Sequence, residues 1–183
     1  MLNETFLDEF KRVTEAMWRR QEIDPRISGF QFQRGTRWNP GLTNDQVAEY
    51  ESAISVRFPL DFKMFLQVMN GTDLPTLNVY AHCGEPPRES AGVYCYPRDL
   101  EIVKRRINEA RQWRTQLAVT LSDQGFELGP ESDLMPFYIH RYVVCTADLD
   151  STVVLSIADG EDAIVYGESL QKYLEREFLD AGH

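Results

Sequence analysis

The chain has 183 residues, 43% of them apolar and 26% charged, a globular composition that excludes the disordered, collagen-like and disulfide-dense classes. Acids outnumber Lys and Arg by 29 to 19, leaving a net charge of -10 that repels phosphate backbones and anionic lipid, so neither nucleic acid nor a membrane is expected as a partner. The same field attracts a basic protein, although acidity of this size also serves solubility alone.

Residues 2–20 carry Leu2, Phe6, Phe10, Val13 and Met17 at three- and four-residue steps, which predicts a helix with one apolar stripe. Asp24-Pro25 stops it. Phe30 and Phe32 alternate with Gln31 and Gln33, as in a short strand or extended arm, and Asn39-Pro40-Gly41 reads as a turn. Thr43 and Gln46 have the spacing of a capping box, opening a helix whose Val47, Tyr50 and Ile54 face one way. Phe58-Pro59 breaks that helix and starts another, with Phe62, Phe65, Leu66 and Met69 on its buried face and Asn70-Gly71 at its end.

Strands are predicted at 77–83 and 91–97, bracketing a loop, CGEPPRES. Residues 99–113 return to helical period through Leu100, Val103, Ile107 and Ala110, and 114–133 read as helix followed by a Gly/Pro loop. LMPFYIH, YVVCTA, STVVLSI and AIVYG then predict an antiparallel meander, and Ser169 caps a closing helix with Leu170, Tyr173, Leu174 and Phe178 inside. The segregation of helices and strands predicts an α+β fold: a mostly antiparallel sheet wrapped by N-terminal, middle and C-terminal helices.

Catalytic patterns are sparse. The chain has no GxSxG, no Walker-type GxxxxGK[ST] and no HExxH. His82, Cys83, His140 and Cys145 could meet as a metal cluster or a Cys-His pair, but on a strand His82 and Cys83 point to opposite faces, and His183 is terminal. No catalytic residue, cofactor or metal is therefore expected. Two acidic turns, Asp148 with Asp150 and Asp159 with Glu161 and Asp162, read as solvated turns first, as a partner-binding rim second and as a hard-cation site last. Arg105, Arg106 and Arg111 read as the wet face of the middle helix. Cys83, Cys95 and Cys145 lack CxxC spacing, and MLNETFLDEFKRV has no apolar run of signal-peptide length, which predicts a reduced, cytoplasmic protein.

The stretch LTNDQVAEYESAISVRFPLDFKMFLQVMNG resembles the signature of the SUKH superfamily, shared by fungal cell-wall (glucan) synthesis regulators and many bacterial immunity proteins. Glu51 stands for the family's helical acid, Phe58-Pro59 for its hydrophobic-Pro pair, Asp61-Phe62 for a helix start and Asn70-Gly71 for its end. VVLSIADGEDAIVYGESLQKYLEREF is similar to the family's late strands and last helix. The likeness covers roughly 36–180, leaving 1–35 as an N-terminal helical extension of a single domain over 1–183. Phe58 in place of the usual leucine, that extension and a long middle segment over 84–133 depart from the pattern. The resemblance implies a non-catalytic binding scaffold, and in the immunity members the neutralisation of a cognate toxin, often a nuclease with a basic surface that an acidic inhibitor would match. A regulatory scaffold with several partners and a small enzyme using His82, His140 or the acidic loops stand as the alternatives.

Overall fold

A computed structural model describes residues 2–146 and 152–179 and has an α+β fold. The first helix, α1 (Glu4–Trp18), is capped by Asn3, whose side chain accepts a 2.9 Å bond from the Phe6 amide. Its buried residues are Leu7, Phe10, Thr14 and Trp18. The apolar stripe is thus turned from the predicted one: Met17 faces out at 37% exposure, because the far bulkier Trp18 takes the inward position. Thr14 goes inside with its hydroxyl satisfied, donating to the Phe10 carbonyl and accepting from the Trp38 indole Nε1 at 2.8 Å.

Helix α2 (Asn44–Ile54) begins at the predicted capping box, with both the Thr43 and Gln46 bonds in place, and buries Val47, Tyr50 and Ile54. Helix α3 (Leu60–Val68) follows Pro59 and buries Phe62, Phe65 and Leu66. It does not end on an Asn-Gly cap as predicted. Met69 is already extended, and the chain passes straight into strand β3 (Met69–Thr72). Gly71 lies inside that strand at φ +68°, where a Cβ would come within 2.5 Å of the Tyr94 carbonyl oxygen. Only glycine suits both the left-handed backbone and the close approach. The partner of β3 is β2 (Trp38–Pro40), so Asn39-Pro40 belongs to a ribbon rather than a turn.

A second sheet has the order β1 (Gly29–Phe32), β4 (Thr76–Tyr80), β5 (Glu85–Ser90), all antiparallel. Strand β5 occupies the segment predicted as a loop. Pro86 and Pro87 are tolerated there because the strand is an edge with solvent beside it. Residues 91–97, predicted as a strand, make only an isolated bridge between Val93 and Tyr138.

The third sheet is the predicted meander: β6 (Asp133–Tyr138), β7 (Arg141–Cys145), β8 (Val154–Ile157) and β9 (Ala163–Gly167), in that order. Its side chains split between two clusters by strand alternation. Met135, Phe137, Val143, Cys145 and Val154 join the core formed with α1, α2 and α3. Leu134, Tyr142, Val144, Leu155 and Ile157 join a second cluster with Ala110, Leu117 and Leu121. Those last three come from α4 (Leu100–Gln112) and α5 (Arg114–Ser122). The meander is therefore a central layer buried on both faces, which is why its strands read as unbroken apolar runs. The Ser169 hydroxyl caps α6 (Leu170–Leu174) by accepting from the Lys172 amide, and a π-helical turn over Glu175–Leu179 carries Phe178 inward. Among the described residues no helix is long and apolar enough to cross a membrane.

Candidate partner-binding groove

The acidic turn between β8 and β9 holds the three carboxylates predicted as a binding rim. Asp159 spends its side chain on the turn itself: one oxygen accepts from the Glu161 and Asp162 amides at 2.8 and 2.9 Å, and these bonds hold its pKa below the ordinary carboxylate value. Glu161 and Asp162 are exposed. Asp148 and Asp150 lie outside the described residues.

The candidate metal and nucleophile residues are scattered over the fold. His82 and Cys83 are exposed in the turn after Tyr80, where β4 ends, and not on the strand predicted to run to residue 83. His140 sits in the β6–β7 turn, half-buried beside Phe30, while Cys145 is buried among apolar side chains. Burial first, and then Arg141 and Arg106, pushes the His140 pKa down to about 4. Burial likewise raises the Cys145 thiol far above its ordinary value, so it is no ready nucleophile. Among the described residues no three His, Cys, Asp or Glu side chains gather closely enough to hold a metal ion.

Arg106 is not on a wet face. Its side chain is 29% exposed, its Nε is buried, and its guanidinium offsets the burial that pushes Tyr142 up to about 12. Arg111 reaches Asp133 at 2.9 Å, and Arg105 stays exposed.

The residues of the motif block have structural tasks. Glu51 accepts from the Phe58 amide at 2.6 Å and pairs with Lys63 at 2.9 Å, fixing the linker between α2 and α3. Phe58 fills the core at 0% exposure, in edge-to-face contact with Tyr50 and Phe62.

An aromatic-floored concavity of about 340 Å³ lies between the end of α1, the segment 21–28, the whole of β1 and the π-helical turn. Its floor is Trp18, Phe32, Tyr138 and Phe178, with Trp18 stacked on Phe32 at 4.4 Å between ring centres and Phe178 against Phe32 and Tyr138 at 5.6 Å each. Met17, Phe30 and Ile27 form the apolar shoulders, Ile27 being 55% exposed. Three carboxylates, Glu22, Asp24 and Glu177, line it, and no Lys or Arg does. Asp24 is held near pKa 2 by its bonds to the Arg26 side chain and amide. Glu177 accepts from Arg141, whose guanidinium also donates to Ser156 and lies 4.0 Å from the centre of the Tyr166 ring. Glu22 is exposed and makes no ion pair among the described residues, so it is the carboxylate open to an incoming cation. A second hollow of about 410 Å³, beside Asp73, Glu89 and Arg98, is shallower and has no aromatic floor.

The groove as a unit is not legible in the sequence, because its walls come from residues 17–32, 138 and 177–178. Met17, Phe30, Phe32 and Phe178 stand out in the sequence only as members of separate helical and strand patterns. Comparison with models of known protein families finds no match, and a search of curated proteins finds none.

Proposed function

We propose that this chain is a protein-binding domain of the SUKH type that grips a basic partner, and that the partner is a cognate toxin which it neutralises. The observation that carries the reading is the groove: an aromatic floor, apolar shoulders and one exposed carboxylate, Glu22, without an ion pair among the described residues, on a chain of net charge -10. Aromatic side chains at a concave surface supply large contact area at low entropy cost, and the sign of the field speeds arrival of a basic protein. The motif block adds support, since Glu51, Phe58 and Pro59 all serve shape, as a scaffold requires.

Co-expression with the product of the adjacent gene tests the reading. The expected result is rescue of growth and a tight complex whose association slows sharply as salt rises. Absence of both rescue and complex overturns the toxin reading. A complex indifferent to salt, without rescue, points instead to a regulatory scaffold held by apolar contacts.

A further inference from the structure

The free edge of β1 runs along the groove, and we propose that an extended, basic segment of the partner docks there as an added strand, with one apolar side chain in the cavity. This rests on the reading that the chain binds a protein, and it names the surface and the chemistry of the occupant.

Strand β1 is the end member of its sheet, and all four of its residues are in register with β4. In an antiparallel pair alternate residues turn their backbone groups away from the partner strand, so part of β1 presents unpaired donors and acceptors outward. No backbone bond from a turn or loop reaches residues 29–32 among the described residues.

The edges of β5, β9 and β6 are blocked. Strand β5 carries Pro86 and Pro87 flanked by Glu85, Arg88 and Glu89. On β9 the Gln124 side chain caps the Ala163 carbonyl at 2.7 Å, and Arg176 caps that of Tyr166 at 3.2 Å. Strand β6 holds Pro136 and is bridged by Val93. Against these, β1 reads Gly-Phe-Gln-Phe, with neither charge nor proline to discourage pairing.

Strand addition supplies affinity through main-chain bonds and specificity through pockets for alternate side chains. The cavity lined by Trp18, Phe32, Tyr138 and Phe178 is such a pocket, at the lower end of the range for ligand sites of roughly 300–1,000 Å³. Glu22 at its rim, exposed and without an ion pair among the described residues, selects Lys or Arg beside the anchoring residue, whereas Asp24 and Glu177 are already bonded to Arg26 and Arg141. A second copy of this chain is a poor occupant, because each copy brings a net charge of -10.

The test is a displayed library of random nine-residue peptides selected on the intact protein. Selection is expected to return peptides that alternate, with Lys or Arg and one large apolar residue. The tightest is then synthesised in two forms, N-methylated on its odd or its even amides, and titrated calorimetrically. One form should lose at least about tenfold in affinity and the other less than about threefold, since only alternate amides face β1. Met17→Ser with Ile27→Ser should weaken the peptide about tenfold, both residues being exposed enough to leave the fold intact. Glu22→Lys should weaken it and favour a glutamate-bearing counterpart. Selection of no peptides or of acidic ones, equal effects of the two methylations, or undiminished binding by the groove variants overturns the proposal. So does a concentration-dependent dimer lost in the groove variants, which would assign the edge to a second copy. A cognate protein that binds wild type and groove variants alike removes this site while leaving the protein-binding reading intact. If no cognate protein binds, that reading fails alone, and the peptide titrations still decide the groove.

Discussion

Glu51 and Lys63 form an ion pair at 2.9 Å across the bend between α2 and α3, with side chains 16% and 26% exposed, while the other oxygen of Glu51 accepts from the Phe58 amide at 2.6 Å. One carboxylate thus satisfies a backbone donor at a helix junction and ties the next helix to it. Glu51→Ala should cost about 2 kcal/mol, because a bond to a charged acceptor is lost and a part-buried N–H is left unpaired. Glu51→Gln keeps an acceptor for Phe58 and should cost less. Urea denaturation separates the two, and equal losses would show that the Phe58 bond contributes nothing.

The Trp38 indole donates to the Thr14 hydroxyl where both residues are buried, at 4% and 0% exposure. Thr14→Val preserves shape but leaves that N–H without an acceptor, so a loss of about 1–3 kcal/mol is expected. For a chain of this size each kcal/mol lowers Tm by roughly 2–4 °C. An unchanged Tm would mean that the indole finds another partner.

Gly71 and Gly84 both have positive φ, at +68° and +63°, but only Gly71 has backbone within reach of an added Cβ. Gly84→Ala should cost about 1 kcal/mol of backbone strain alone. Gly71→Ala adds a clash with the Tyr94 carbonyl and should exceed about 3 kcal/mol, showing as poor yield of folded protein or a collapse of the denaturation midpoint. Similar midpoints for the two variants would contradict the tight approach at Gly71.

His140 is held neutral, its pKa pushed to about 4 from an ordinary 6.5. Below pH 6.5 the unfolded chain binds a proton at this position that the folded chain refuses, so stability falls as pH drops from 6.5 toward 4. His140→Gln removes that uptake. Thermal melts across the same range should show a shallower decline in the variant, and parallel curves would refute the depressed pKa.

The elements legible in the sequence were those with a local cause. The Thr43–Gln46 box, the proline before α3, the Ser169 cap and the apolar runs of the meander each act within a few residues. The misread segments depended on distant contacts. Pro86 and Pro87 signal a loop unless β4 lies alongside to make an edge strand of them. Asn70-Gly71 looks like a helix cap until β2 pairs with it, and Val93 to Tyr96 look like a strand although only Val93 bridges β6. The rotation of α1 was set by Trp18, whose ring stacks on Phe32 while Met17 turns outward. The groove was hidden for the same reason, since it exists only once α1, β1 and the π-helical turn meet.

Phe178 lies against Phe10, Trp18, Phe32 and Trp38, so the last described turn closes over the first helix. During synthesis the aromatic side of that helix must wait for about 160 further residues to leave the ribosome before its cover arrives. At roughly 5–20 residues per second that is an interval of many seconds with Trp18 and Phe10 open to other chains. Removing the turn over Glu175–Leu179 should therefore leave an aggregating product rather than a smaller domain.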